Sequence, residues 1–166
     1  MTITSEVERL DTGDTEGCKY RGYFREVLTP TQTDLVPTIL TASQSGALCI
    51  NGSAEGGEWT LPAAEAGLWF EFFATVSVTS TELYTVKCAT GDFIIGVVVI
   101  GSATIGGSGG FHVANGTTHL GITSSGSTTG GLIGDNIILT AISDTQWVPA
   151  RSVMQGSGTL ATPYIT

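Results

Sequence analysis

Positive charge is scarce in this chain: six Lys and Arg stand against 15 Asp and Glu, a formal net charge of −9 over 166 residues. Such a balance gives no electrostatic footprint for a phosphate backbone, so no nucleic-acid partner is expected. Charge of either sign is low, at 13% of residues against about 25% in ordinary soluble chains. The acidity that remains keeps a Gly-rich surface soluble. Cysteine is nearly lacking as well. Cys18, Cys49 and Cys88 form no CxxC spacing and cannot all pair within one chain, which leaves neither a zinc site nor a redox motif. Free thiols made in a reducing cytoplasm are expected.

The opening MTITSEVERLD has no basic or apolar signal region. Asn51-Gly-Ser and Asn115-Gly-Thr therefore read as turns rather than glycan acceptors. The longest apolar run, FIIGVVVIG at 93–101, is half a membrane helix in length, and no membrane partner is expected. No window carries a helical period.

What the chain does have is Gly, 23 of them, with abundant Ser, Thr, Val and Ile. That mix makes pleated strands joined by turns. GLWFEFFATVSV alternates cleanly: Leu68, Phe70, Phe72, Ala74, Val76 and Val78 share one face, while Trp69, Glu71, Phe73, Thr75 and Ser77 share the other. ILTASQSGALCIN, ELYTVKC, FIIGVVVI, DNIILTAIS and TQWVPARSVM are further strand candidates, about ten in all. Regular strands without intervening helices predict an all-β chain, an antiparallel sandwich or barrel.

The chain changes character along its length. Its first 26 residues hold ten of the 21 charged side chains, whereas residues 89–166 hold only Asp92, Asp135, Asp144 and Arg151 but 15 glycines. Pro30 and Pro37 exclude a helix or a central strand around residues 29–38. The expected division is an extended N-terminal arm and connection at 1–38 and a β-sandwich body at 39–166. Within the arm, Tyr20, Arg21, Tyr23, Phe24 and Arg25 form an aromatic and basic cluster of the kind enriched at protein interfaces. SSGSTTGG at 124–131 reads as a loop between strands.

Candidate chemistry is thin. His112 and His119, the only histidines, flank Asn115-Gly116. A two-residue type I′ hairpin there would set the imidazoles directly opposite each other. Two ligands fall short of the three or four that zinc takes, so no metal is expected, and the pair reads as surface or interface histidines. GGSGG at 106–110 matches the GxSxG pattern but lacks the strand-to-helix setting of a nucleophile elbow. Glu71 and Asp92 are a possible carboxylate pair with no sign that they face each other. Neither catalytic residues nor a cofactor are expected.

The order TLPAAEAGLWFEFFATVSV, GDFIIGVV, GTTHLGITSSGSTTGGLIGDNIILTAIS and QWVPARSVMQGSGTLATPY is similar to small virion structural proteins of tailed bacteriophages, of the head decoration (cement) type. Its most specific parts are STTGG-x-x-GD-x-I-x-LT at 127–140 and the tail at 146–164. The arm lies outside the likeness. The resemblance implies a homotrimer of antiparallel β-sandwich, jelly-roll-like protomers on the outer surface of the capsid, bound to the major capsid protein, that stabilises the head against internal DNA pressure. Within that expectation the arm cluster (Tyr20, Arg21, Tyr23, Phe24, Arg25) is assigned to the capsid contact, and His112 and His119 to the surface or a trimer seam. The alternative is a receptor- or glycan-binding domain of a phage fibre, with Trp59, Trp69 and Trp147 as candidate sugar-stacking rings.

Overall fold

The computed structural model describes residues 25–29, 36–79 and 83–166. The chain is all-β. Its strands are β1 (Val27–Leu28), β2 (Thr38–Ile39), β3 (Leu48–Asn51), β4 (Gly57–Thr60), β5 (Trp69–Ala74), β6 (Tyr84–Lys87), β7 (Phe93–Ser102), β8 (Gly110–Asn115), β9 (Gly121–Ser124), β10 (Asn136–Ala141), β11 (Gln146–Gly156) and β12 (Tyr164–Ile165). They form a seven-stranded sheet in the order β1-β3-β5-β10-β11-β7-β8 and a five-stranded sheet in the order β12-β9-β6-β4-β2. β1 and the start of β2 lie within the segment read as an arm, yet both pair with strands of the body.

The antiparallel expectation needs correction, because both sheets are mixed. β1 to β6 alternate between the sheets, so β3 pairs in parallel with β1 and β5, and β4 in parallel with β2 and β6. Parallel neighbours need a crossover, and here the crossover is itself a strand of the other sheet. From β7 onward most pairings are antiparallel, as in β7–β8, β10–β11 and β6–β9.

Inward-facing side chains of both sheets form one main core, with a small second cluster of Ala74, Val78 and Tyr84 beside it. Trp59 on β4 meets Phe72 on β5 edge-on at 6.0 Å, and Phe70 packs 6.1 Å from Trp147 on β11. Trp59 and Trp147 are wholly buried, with Leu139, Ile94, Val98 and Ile100 around them. The Trp59 indole N–H donates to the Asn51 side-chain oxygen at 2.8 Å, which gives a buried polar edge its partner. Tyr164 reaches across from β12, and its hydroxyl donates to the Gly96 carbonyl on β7 at 3.3 Å.

Pro149 sits in β11, a central strand, which a bulge makes possible. The register steps from Leu139↔Pro149 to Ile138↔Arg151, leaving Ala150 unpaired. The parallel ladder to β7 is interrupted between Trp147 and Met154. There Gly96 adopts φ +123, and any Cβ would stand 3.0 Å from Val148 and 3.2 Å from Pro149. The Val99 N–H donates to the Ser152 hydroxyl at 3.0 Å. One extra residue reverses the strand's facing: Trp147 and Pro149 point inward, whereas Arg151 is turned out.

The low-complexity stretch at 124–131 is a packed corner. Val78 N–H donates to Gly131 O, Ser157 N–H to Ser127 O and Ala161 N–H to Thr128 O. Gly131 has φ +99, and an added Cβ would meet the Gly126 nitrogen at 2.7 Å. Asp135 holds the corner to β11: one carboxylate oxygen accepts from the N–H groups of Gly131 (2.7 Å) and Leu132 (3.3 Å), the other from Gln155 (2.9 Å). Burial pushes its pKa up to about 6, against the pull of those donors, from an ordinary 3.8. A carboxyl raised on folding contributes most below its unfolded pKa, and that contribution is lost as pH rises through the folded value. The stability difference between wild type and Asp135→Asn should therefore fall between about pH 4 and pH 6 and then level off. Thermal melts of both across that range check it; a difference that widens with pH contradicts the assignment.

Candidate interaction face

The outer surfaces of the two sheets differ in kind. In the five-stranded sheet the outward row is Glu58, Thr85 and Thr123, followed by Thr60 and Lys87, with Trp59, Val86 and Ile122 facing in. Thr85 and Thr123 hydroxyls lie 3.2 Å apart across the strands, and Lys87 pairs with Glu58. Apolar Ile39 and Ile165 flank this face at its two edges. This outer face is polar over an apolar inner one, and Thr85 at its centre is itself buried.

The seven-stranded sheet departs from that pattern. Its outward residues include Val27, Leu48, Ile50, Trp69, Phe73, Ile138, Val97, Val99, Phe111, Val113 and Val153. The most open are Phe111 at 79% and Val113 at 66% on β8, followed by Val27 at 60% on the opposite edge and Val153 at 58%. Val97 faces Val113 and Val99 faces Phe111 across the β7–β8 pair. Apolar side chains thus stand on both faces of this sheet.

One polar knot interrupts this face. Glu71 on β5 accepts from Arg25, from the Asn136 amide at 2.6 Å and from Arg151 at 3.0 Å. Arg151 also donates to the Asn136 side-chain oxygen at 2.8 Å. Ile138 separates Glu71 and Arg151 in the register, so the bulge that turns Arg151 outward completes the knot. Burial pushes the Glu71 carboxyl up, but hydrogen bonds from Arg25 and Asn136 and the two guanidinium charges outweigh it and hold the pKa below the ordinary 4.5.

Of the arm cluster, Tyr20, Arg21, Tyr23 and Phe24 lie outside the described residues. Arg25 is described, and it lies on this face. Its guanidinium donates to the Gly46 and Ala47 carbonyls at 2.9 and 3.0 Å, pairs with Glu71 and stacks 5.0 Å over the Trp69 ring. Trp59 and Trp147 are core residues, so neither can stack on a sugar in this fold. Asp92 is buried and accepts from the Ala64 N–H at 2.8 Å, in a setting unrelated to that of Glu71.

The histidine hairpin is not formed, which corrects the opposed-imidazole expectation. β8 pairs with β7, placing His112 opposite Val98 on the inward side. Its Nε2 is buried without a hydrogen-bond partner, beside Gly110. A type I′ turn needs positive φ at both central residues, and only Gly116, at φ +79, has it. Asn115 instead makes an Asx turn: its side-chain oxygen accepts from the Thr117 and Thr118 N–H groups at 2.9 and 3.0 Å. Its own N–H donates to His119 Nδ1 at 3.0 Å. The chain then crosses to the other sheet, where His119 packs 5.1 Å from Tyr164.

Among the described residues no group of three or more His, Cys, Asp or Glu is placed to hold a metal ion. No helix among them is long and apolar enough to cross a membrane. The GGSGG stretch is part of the β7–β8 connection. Comparison with protein families, curated proteins and solved structures finds no match.

The knot of Glu71, Arg25, Arg151 and Asn136 was not legible beforehand, because Arg151 and Asn136 look like isolated polar residues. The one available signal was Glu71 itself, a lone acid in a run of aromatics. Glu71→Gln should cost about 1–2 kcal/mol at neutral pH, since two guanidinium groups lose their shared anion. A carboxyl lowered on folding contributes above its unfolded pKa and loses that contribution as pH falls. Urea denaturation should thus show the gap between wild type and variant closing as pH drops below 4.5; a constant gap down to about pH 3 contradicts it.

Proposed function

We propose that this chain is a virion structural protein that works by adhesion: a capsid decoration, or cement, protein of a tailed bacteriophage. It is made in the host cytoplasm, associates with copies of itself as a trimer, and attaches to the major capsid protein on the outer surface of the assembled head. The observation that carries the reading is the apolar outer face of the seven-stranded sheet, opposed to a threonine-rich outer face on the other sheet. A sheet face of that composition serves a protein that spends its life covered by another. The sequence likeness at 60–78, 91–98 and 116–164 supports the phage setting.

In this reading no covalent bond is broken. Several weak contacts made together by one symmetric assembly give near-permanent attachment through effective concentration. Binding to the assembled shell, and not to its separated subunits, then stabilises that shell by mass action. The capsid contact is assigned to the arm cluster of Tyr20, Arg21, Tyr23, Phe24 and Arg25.

Heads assembled without this chain and then supplied with it should bind hundreds of copies each and disrupt at a higher temperature. Cosedimentation and thermal disruption of the heads read both. A chain shortened by residues 1–24 should keep its fold by circular dichroism and lose head binding. Failure of the full chain to bind refutes the function, and undiminished binding by the shortened chain refutes the arm assignment.

A further inference from the structure

We infer that the cavity between the two sheets, where Asn51, Ser124 and Asp135 meet, is a site for one internal water molecule hydrogen-bonded to all three. That water joins β3, β9 and the corner leading into β10. The site stands whether or not the chain belongs to a virion.

Size sets the first limit on the occupant. The cavity offers about 20 Å³ to the centre of a water-sized sphere, and one water needs about 10–15 Å³ on that measure. No organic ligand fits such a space. Side chains of β3, β5, β10 and β11 line it from one sheet and those of β6 and β9 from the other, and every lining residue is buried.

Hydrogen-bonding capacity sets the second. A cavity walled only by residues such as Phe72, Val86, Ile122 and Ile137 would stay dry. Asn51, Ser124 and Asp135 change that, and each is more than nine-tenths buried. The Asn51 side-chain oxygen is held by the Trp59 indole N–H at 2.8 Å, which fixes the sense of the amide. Its nitrogen is therefore a donor, and it meets no acceptor among the described residues. The Ser124 hydroxyl, able to donate and to accept, likewise bonds to no other described side chain. Asp135 takes two close donors, the N–H groups of Gly131 at 2.7 Å and Gln155 at 2.9 Å. Its contacts with the Leu132 N–H and the Gln155 amide are long, at 3.3 and 3.5 Å, which leaves room for one more short bond. Gly131 stands against both of the last two side chains, since a Cβ on it would lie 3.2 Å from that of Ser124. The Tyr84 hydroxyl is engaged elsewhere, with the Ser53 and Val76 carbonyls.

A donor, an acceptor and a hydroxyl that serves as either thus face one small space. Water matches that set: it accepts from Asn51, donates to Asp135 and bonds to Ser124 in either sense. A cation would meet the Asn51 amide hydrogens, and an anion would meet the Asp135 carboxylate. Three bonds is also the usual complement of a buried water. The site accounts for polar residues at two inward positions whose neighbours along the same row are Cys49 on β3 and Ile122 on β9.

A crystal structure of the full-length chain at atomic resolution tests the site. It should show one ordered peak about 2.8–3.0 Å from the Asn51 nitrogen, the Ser124 hydroxyl and an Asp135 oxygen. In solution, oxygen-17 magnetic relaxation dispersion should count one long-lived water fewer in Ser124→Val, whose methyl groups fill the space, than in wild type. Should Ser124→Val fail to fold, the wild-type crystal structure decides alone. A wild-type cavity without a peak, or equal water counts in wild type and a folded Ser124→Val, overturns the inference. A peak about 2.4 Å from oxygen atoms alone, with the Asn51 amide turned away, overturns it in favour of a metal cation.

Discussion

Each of the first six strands hands the chain to the opposite sheet, so the parallel ladder from β3 to β5 can close only after β4 has crossed the core, and the ladder from β4 to β6 only after β5 has. The two sheets are therefore assembled together. What fills the space between the layers is the inward row of aromatics, Trp59, Phe72, Phe70 and Trp147. The unfilled hydrogen-bonding demands of such a core are few. The Trp147 indole nitrogen and His112 Nε2 are buried without partners among the described residues, while Asn51 and Asp135 meet several of the others.

The outer faces follow from the same alternation. In a pleated strand, filling the inward row fixes what stands in the outward row, and the two sheets use that row differently. Threonines with one Lys–Glu pair suit contact with water. Valines, isoleucines and aromatics around a closed knot of Glu71, Arg25, Arg151 and Asn136 suit contact with protein. The knot fits the second use because a carboxylate shared by two guanidinium groups and an amide retains its partners when water is excluded. The β11 bulge makes this possible, since without Ala150 as an extra residue Arg151 would point into the core.

Much of the architecture was legible in the sequence, and the reason is periodicity. The Phe70, Phe72, Ala74 row does face inward, the strands fall near their expected places, and Pro37 precedes an edge strand, as a residue without an N–H should. Strand direction was not legible. Parallel pairing is normally betrayed by helices between strands, and here a strand does the helix's work, leaving the pattern of an antiparallel chain. The Asn115-Gly116 turn misled for a related reason. The same dipeptide supports an Asx turn when its side-chain oxygen captures the next two amides, and the choice depends on which sheet has room for the following strand. The 124–131 stretch does connect strands, as its composition reads, but its tight packing was not legible: a Cβ at Gly131 would strike the Gly126 nitrogen.

The shielding of Cys49 and Cys88 from water has a chemical consequence. Cys49 and Cys88 are both free thiols, and loss of water around them raises each to about 12. At neutral pH almost no thiolate exists at either position, and thiolate is the nucleophile that attacks oxidants and disulfides. Neither Cys49 nor Cys88 is therefore poised for oxidation, and the packing around them depends on no crosslink.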